Sequence, residues 1–480
     1  MPAHELDERF QKTCRDRRSK IAVRNLSDGH ALRFDDVLEQ YGAIARALHD
    51  LRIEPGAAIV TRVGNHPVFF SLLTACLTTG AALVALGETT DEEAASVVAS
   101  CGAAAVVTDR PLPLSAADRR IITGGLTIAA LRRPPSAPVY GESVVLKLTS
   151  GSTAVPKAAV ASVQHLVNDG LHVVDAMGIR PDDVNLGCIP LSHSYALGNI
   201  VMPLLLQGTG VALRQSFHPL QLIDDATLTG ATVFPGVPFM FQQFHAMGVD
   251  RMPAGLRLLI TAAARIDPGT VRWFHRQLGL KVHSFYGSSE TGGITYDDSD
   301  KVDDALHVGR PMPETTVAIH AADGNGFGRI FVKGTAVASG YAGGDADGDS
   351  AFTEGGFITS DLGRLGQDRR LVLTGRMSPL VNVAGRKVDP AEVERLLADV
   401  PGVVDARVIG AACDRRGQQL VAFVVSNAGL TSVALRQRCA KLLSPHKIPR
   451  RFIFLDHLPV DARGKMDRRA LEALATAESR

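Results

Sequence analysis

A short polar segment in the first third of the chain has residue types suited to binding anionic oxygens. The segment "LKLTSGSTAVPKAAVAS", residues 146–162, places hydroxyl groups and glycine between an apolar run and Lys157. Glycine leaves backbone amides accessible, and with Ser and Thr hydroxyls and one ammonium they suit a cluster of phosphate oxygens. The Walker pattern is not met, because Lys157 follows a proline and Gly151 lies six residues upstream. We therefore predict a polyphosphate site of another kind.

The composition of the whole chain indicates an enzyme that acts on small molecules. Its 480 residues exceed what one hydrophobic core usually organises, so we expect two or more domains. With 51 basic against 50 acidic residues, the chain has no charge excess that would favour nucleic acid as a partner. The six cysteines form neither a CxxC pair nor a His-rich spacing, so a reducing cytoplasm is favoured over a disulfide framework or a zinc site.

Two further stretches bear on the membrane. The first 20 residues mix acids and bases and lack the apolar core of a signal peptide, so we expect no export. Residues 199–213 are the most apolar stretch, but Pro203 and two glycines interrupt it, and it is too short to span a bilayer. We predict that this stretch is buried core.

The elements that must position the polar segment follow an α/β pattern. Residues 34–51 have a 3.6-residue apolar period, which predicts a helix, and the strand-like run 57–63 follows after a turn. Beyond Arg376 the chain changes to short strands and helices; one of these helices starts at Pro390 with an apolar face behind it. We place a domain boundary near Ser378.

Four further motifs follow the polar segment in order along the chain. They are "SFYGSSETGG" (284–293), "FITSDLGRL" (357–365), "LTGRMSPLVNVAGRKVDPAEVE" (373–394) and "PVDARGKMDRR" (459–469). Together with "TSGSTAVPK", they resemble the acyl-adenylate-forming superfamily of acyl-CoA and aryl-CoA synthetases, peptide-synthetase adenylation domains and luciferases. The resemblance covers about residues 30 to 470.

The resemblance implies a fold and a reaction. The fold is α/β: a large N-terminal domain, residues 1–377, has layered mixed β-sheets and helices, and a hinge joins it to a small α+β domain, residues 378–480. In the reaction, a carboxylate attacks the α-phosphorus of ATP, pyrophosphate leaves, and a nucleophile such as the thiol of CoA then displaces AMP. Mg²⁺ is the implied cofactor, and catalysis rests on positioning and on neutralising oxygen charge.

The resemblance assigns nucleotide binding to residues from several motifs. They are Thr149, Ser150, Gly151, Ser152, Thr153, Lys157, Ala263, Ser284, Tyr286, Gly287, Ser289, Asp361 and Arg376. The first six form the loop over the β- and γ-phosphates, Tyr286 stacks on adenine, and Asp361 binds the ribose hydroxyls with Arg376. The loop departs from the family at Ala154 and Ala158, where glycine is common.

Catalytic roles are implied for three residues. Glu290 matches the glutamate that holds Mg²⁺, and Lys465 matches the lysine that the small domain inserts between the substrate carboxylate and the α-phosphate. His193 matches the residue that closes the acyl pocket beside the carboxylate. Ser378 occupies the hinge position, where its following proline is a departure from the family, and Gly385 lies in the stretch that would line the thiol tunnel.

The acid itself is less closely defined. Ser194, Tyr195, Phe234 and Gly236 fall in the segments that resemble the acyl pocket, and no aspartate is seen there to hold an α-ammonium group. We therefore expect a non-amino acid, such as a medium-chain fatty or aryl acid. Alternatives that stay open are transfer to a carrier-protein phosphopantetheine or to an amine, and, in another class, a catalytically silent nucleotide-binding relative. Luciferase-like oxygenation is a more remote alternative.

Overall fold

The computed structural model describes most of the chain. The described residues are 3–87, 89, 91–110, 116–122, 125–132, 137–141, 144–148, 158–302, 307–343, 351–353, 355–376, 381–383, 386–388, 390–413, 417–427, 429–443, 447–460 and 466–477. The chain forms two compact units. The larger comprises Met1–Thr359 and Arg364–Leu373, and the smaller comprises Ser360–Gly363 and Thr374–Arg480.

Helices and strands alternate through the larger unit. Its first part contains α1 (Ala3–Asp16), β1 (Ile21–Asn25), β2 (Ala31–Arg33), α2 (Phe34–Asp50), β3 (Ala58–Arg62), α3 (Phe69–Thr78), β4 (Ala82–Ala85), α4 (Asp91–Ser100), β5 (Ala105–Thr108), β6 (Ala116–Ile121), β7 (Thr127–Leu131), β8 (Val144–Leu148), β9 (Ala158–Ser162) and α5 (Val163–Met177). Its middle part contains β10 (Val184–Gly187), α6 (Ser194–Ala196), a π-helical turn (Leu197–Val201), α7 (Met202–Gln207), β11 (Gly210–Leu213), α8 (Pro219–Thr229), β12 (Val233–Gly236), α9 (Pro238–Ala246), β13 (Leu258–Thr261), α10 (Pro268–Leu278), β14 (Val282–Ser288) and β15 (Gly292–Tyr296).

The remaining elements lead into the smaller unit. They are β16 (Arg310–Pro311), β17 (Thr315–His320), β18 (Gly328–Gly334), β19 (Phe352–Thr353), β20 (Gly356–Leu365), β21 (Leu371–Arg376), β22 (Val381–Val383), β23 (Arg386–Val388), α11 (Pro390–Ala398), β24 (Val403–Cys413), β25 (Gly417–Ser426), α12 (Ser432–Leu442), β26 (Arg451–Phe454) and α13 (Arg468–Ala477).

Two mixed sheets make up most of the larger unit. One has the strand order β6-β7-β5-β3-β4-β8-β9, and the other has the order β16-β15-β14-β13-β12-β10-β11-β1-β2. Strands β3, β4 and β5 pair in parallel and are buried along their whole length, which explains their continuous apolar sequence. The core helix α3 is buried on all sides, and its hydroxyls are satisfied within the core: Ser71 donates to the Val37 carbonyl and Thr74 to the Phe70 carbonyl.

Helix α5 carries residues that matter for the site. It begins with a capping box, in which the Ser162 side chain accepts from the backbone of His165 while His165 Nδ1 accepts from the backbone of Ser162. It ends at Gly178, whose φ of 58° is the left-handed conformation of a helix C-cap. Gly170 allows close packing on α7, since a Cβ there would lie 2.5 Å from Met202 Cβ.

A smaller sheet has the order β17-β18-β20-β19, with β21 on β20. The smaller unit is built on the sheet β23-β22-β25-β24, with β26 parallel to β25. Its core includes Val393, Leu397, Leu435 and Phe452.

Most sequence expectations for the fold are met. The α/β class is confirmed, as are the helix predicted at residues 34–51, the strand that follows it and the helix that starts at Pro390. The apolar stretch 199–213 is buried, as predicted. Among the described residues, no helix combines the length and apolar character needed to cross a membrane. The predicted hinge residue Ser378 lies outside the described residues.

Candidate active site

The base of the predicted phosphate loop is a pair of antiparallel strands. Leu148 at the end of β8 and Ala158 at the start of β9 are register partners, so the segment between them leaves and re-enters the sheet at one point. The loop residues Thr149, Ser150, Gly151, Ser152, Thr153 and Lys157 lie outside the described residues. Their roles stay predictions, whereas their anchoring strands are well packed in the sheet.

Glu290 lies in the tight turn between β14 and β15. Ser288 and Gly292 pair across this turn, and Gly292 has a φ of 66°, which favours glycine. The backbone carbonyl of Glu290 accepts from Ala338 N at 2.7 Å, and its Oε1 accepts from the Tyr341 hydroxyl at 2.8 Å. The carboxylate is partly exposed and therefore accessible to a ligand.

Two buried charges from other elements lie close to this turn. Lys147, on β8, is 5% exposed, and Asp169, on α5, is 4% exposed. Burial lowers the pKa of Lys147, while the charges of Asp169 and Glu290 act in the opposite direction. Asp169 Oδ1 accepts from Gly293 N at 2.8 Å, and this bond fixes the end of the Glu290 turn. Burial, and secondarily the charge of Lys147, lowers the pKa of His165.

The predicted adenine residues lie at the ends of neighbouring strands. Ser284, Tyr286 and Gly287 are in β14, and Ala263 follows β13 with a φ of 72°. Gly287 has no room for a side chain, because a Cβ would lie 2.5 Å from the Gly292 carbonyl oxygen. Tyr286 packs against the apolar cluster that contains Ile294 and Val317. Ser284 also lines a cleft at this edge of the sheet.

The predicted acyl-pocket residues are in different surroundings. Ser194 donates to Ser289 Oγ at 3.2 Å, so these two predicted residues are brought together next to Glu290. Tyr195 donates to the Ile260 carbonyl at 3.1 Å, and its ring stacks on Phe285 with centroids 5.7 Å apart. Burial raises the pKa of Tyr195 well above its usual value, so its hydroxyl stays a donor.

Three other acyl-pocket predictions fall on helix and strand ends. His193 precedes α6 and is half-buried. Phe234 is fully buried, and its ring packs against Phe241 and Phe244 with centroids 5.3 and 6.3 Å apart. Gly236 faces Phe241, whose ring would lie 3.0 Å from a Cβ. In this structure Phe234 is therefore part of an aromatic core.

The residues predicted in the second half of the chain belong largely to the smaller unit. Asp361 is half-buried in β20, within the Ser360–Gly363 part of that unit. Arg376 ends β21, but its side chain is not among those described. Ser378, Gly385 and Lys465 lie outside the described residues. Their roles stay predictions.

The sequence analysis did not single out Lys147, Asp169 or Tyr341. The signal for Lys147 was available, because a lysine within the apolar strand "VVLKL" must be buried with a compensating charge. Asp169 likewise interrupts the apolar face of α5. Tyr341 carries no local signal, since its contact with Glu290 joins residues that are 51 positions apart.

A divalent ion fits this site only in a particular way. Among the described residues, no group of three or more His, Cys, Asp or Glu side chains could enclose a metal. Mg²⁺ needs no such group, because it commonly keeps several waters and binds through one or two carboxylates together with substrate phosphates. The partly exposed Glu290 carboxylate suits that mode of binding.

Comparison with known proteins assigns the family. The family model "AMP-binding enzyme" matches residues 10–342, and the model "AMP-binding enzyme C-terminal domain" matches residues 392–465. The chain belongs to the AMP-binding enzyme family.

Curated relatives and solved structures extend along the chain. A sulfoacetate–CoA ligase of Cupriavidus necator is 29% identical over 352 residues, which are 71% of this chain and 68% of the relative. A feruloyl-CoA synthase of an Amycolatopsis species is 27% identical over 456 residues, or 91% of this chain and 93% of the relative. The crystal structure of ATP-bound MatB from Rhodopseudomonas palustris has a TM-score of 0.78 and 22% identity, with full coverage of both chains, and so shares the fold.

Proposed function

We propose that this protein is an AMP-forming acid–thiol ligase. It uses ATP to convert a non-amino carboxylic acid to an acyl-adenylate with release of pyrophosphate, and then transfers the acyl group to the thiol of CoA. Family membership supports the first half of this reaction, and relatives named as CoA ligases support the second.

One structural observation carries the proposal. Glu290 is held beside β9, the strand that follows the predicted phosphate loop, because residues 338–342 bond to both. A carboxylate at the base of a loop rich in hydroxyls is where an ion bridging phosphate oxygens would be needed. Mg²⁺ held by Glu290 and the triphosphate would neutralise the charge that develops on the leaving pyrophosphate.

The proposed roles of the other residues follow the order of the reaction. The loop residues Thr149–Thr153 and Lys157 hold the β- and γ-phosphates, and Asp361 with Arg376 holds the ribose. Lys465 places its ammonium between the incoming carboxylate and the α-phosphate, and His193 closes the pocket beside that carboxylate. The Tyr195–Phe285 aromatic pair gives an apolar wall that suits an aryl or medium-chain acid.

The acceptor has a second candidate. One relative, triostin synthetase I of Streptomyces triostinicus, is 28% identical over 515 residues, and one structural neighbour is an amide bond synthetase from Marinactinospora thermotolerans with a TM-score of 0.77. These names support a carrier-protein thiol or an amine as the alternative acceptor. We further propose a cytoplasmic location, which suits five free, buried cysteines among the described residues.

The first experiment separates an enzyme from a silent nucleotide-binding relative. Purified protein is tested for acid-dependent exchange of labelled pyrophosphate into ATP, with a panel of fatty and aryl acids and hydroxylamine to trap the adenylate. Exchange with at least one acid is expected. Nucleotide binding without exchange for any acid would contradict the proposal. Addition of CoA, a carrier protein or an amine then identifies the acceptor.

The Lys465→Ala variant tests the order of roles. We expect adenylate formation to fall by about 10² to 10³, because a preorganised charge at the reacting phosphorus is lost. Transfer from a supplied acyl-adenylate to the thiol is expected to continue, because that step does not need this ammonium. Equal losses in both half-reactions would contradict the role of Lys465.

A further inference from the structure

Residues 338–342, here named the bridging segment, join two parts of the candidate site. On one side the segment bonds to β9: Ser339 N donates to the Val160 carbonyl at 3.0 Å, and Ala342 N donates to the Ala158 carbonyl at 2.8 Å. On the other side, Ala338 N donates to the Glu290 carbonyl at 2.7 Å. The segment therefore ties the strand after the phosphate loop to the turn that carries Glu290.

Tyr341 extends this connection to the carboxylate itself. Its hydroxyl donates to Glu290 Oε1 at 2.8 Å, and its ring meets Phe352 edge-on, with centroids 5.2 Å apart and planes at 80°. The ring packing restricts the direction in which the hydroxyl points. Among the described residues, Oε1 is the carboxylate oxygen that receives a hydrogen bond, so Oε2 is left as the position for an outside ligand.

The Glu290 turn is also fixed from its opposite end. Asp169 Oδ1 accepts from Gly293 N, and a Cβ on Gly292 would lie 2.5 Å from the same oxygen. Asp169 thus packs directly against the backbone of the turn. The backbone is set by Asp169 and Ala338, and the carboxylate orientation is set by Tyr341.

We propose that Tyr341 is a positioning residue for Glu290. Its hydroxyl holds Oε1 so that Oε2 faces the ion bound with the triphosphate, and this inference rests on the proposed function of Glu290 as the ion's carboxylate ligand. Hydrogen-bond partners of metal-binding carboxylates typically change metal affinity or activity by about 10- to 100-fold when they are removed. Tyr341 therefore acts on ion binding through Glu290 without contacting the substrate.

The test uses Tyr341→Phe, which keeps the ring and removes one oxygen atom. Binding of Mn²⁺ in the presence of a non-hydrolysable ATP analogue is followed by electron paramagnetic resonance, and exchange activity is titrated with Mg²⁺. We expect the ion concentration for half-saturation to rise about 10-fold in both measurements. Exchange at saturating Mg²⁺ should recover towards the unmodified protein, because the ligand itself is still present.

Tyr41→Phe is a matched control. The Tyr41 hydroxyl also donates to a carboxylate, Asp7 Oδ1, at 2.7 Å, but it joins α2 to α1 away from the Glu290 turn. Both variants lose a tyrosine–carboxylate hydrogen bond, so similar shifts in thermal midpoint are expected. A change in the ion requirement is expected for Tyr341→Phe alone.

A double-mutant cycle with Glu290→Gln separates the possible outcomes. If Tyr341 acts through Glu290, Tyr341→Phe should add no further change in ion binding when Glu290 is already replaced. An unchanged ion requirement in Tyr341→Phe, or a full additional effect in the Glu290→Gln background, would overturn the inference. Failure of the unmodified protein to bind the ion with the nucleotide analogue would instead refute the proposed function.

Discussion

Two buried lysines in the larger unit are held in opposite ways. Lys281, with a side chain 6% exposed, pairs with Asp297 at 2.8 Å, and its ammonium also donates to the carbonyl of Lys301 at 2.9 Å and to that of Ser299. Lys147 is equally buried but forms no ion pair among the described residues, and burial lowers its pKa although Asp169 and Glu290 are near. One lysine is fully compensated, and the other is not.

The difference indicates a structural role for one and a functional role for the other. A buried ammonium that is satisfied by a carboxylate and two carbonyls stabilises a loop and offers nothing to a ligand. An ammonium that keeps uncompensated charge beside a predicted ion ligand is the kind of group that functional sites retain at a cost in stability. Three substitutions test this contrast.

The largest effect is expected on stability at Lys281. Lys281→Met should lower the unfolding free energy of the larger unit by about 3 to 5 kcal/mol, because Asp297 would be left as a buried charge without its partner. Denaturant unfolding measures the change. The control Lys12→Met removes an exposed pair with Asp16, whose side chains are 74% and 57% exposed, and should change stability by less than about 1 kcal/mol. Equal effects of the two substitutions would contradict the structural role of Lys281.

Lys147→Met should separate stability from activity. The desolvation cost that is removed offsets the attraction to Asp169 and Glu290 that is lost, so the unfolding free energy should change by less than about 1 kcal/mol. Pyrophosphate exchange should nevertheless fall by about 10- to 100-fold, because the charge balance around Glu290 is altered. If stability falls as far as in Lys281→Met while exchange per folded molecule is kept, the contrast between the two lysines is wrong.

Local sequence patterns explain why some of these features could be predicted. Helix α2 was predicted from its apolar period, and Glu290 was singled out as a candidate ion ligand because it lies within a compact motif. The supports of Glu290 could not be predicted in this way. The bond from Gly293 to Asp169 spans 124 positions, and its geometry depends on how α5 packs against the second sheet. Periodicity carries no information about such contacts.

The smallest effect is expected from the histidine beside each lysine. Burial is the main cause that lowers the pKa of His165 and of His283 below 6.5, and Lys147 and Lys281 respectively add to it. Between the folded and unfolded pKa values, the unfolded chain binds more protons, so the unfolding free energy should fall as pH decreases below about 6.5. The folded state needs a neutral His165, because Nδ1 accepts the backbone N–H of Ser162.

His165→Gln tests which histidine carries this pH dependence. Glutamine at this position can still accept the Ser162 N–H as part of a capping box but does not titrate. We expect the variant to keep its stability at pH 7.5 and to lose less stability at pH 5.5 than the unmodified protein, as measured by urea unfolding. His283 Nδ1 lies 2.8 Å from the Asp297 carbonyl, to which a protonated ring can still donate, so His283→Gln should reduce the pH dependence less. The reverse order would show that the paired lysine, and not Lys147, has the less compensated surroundings.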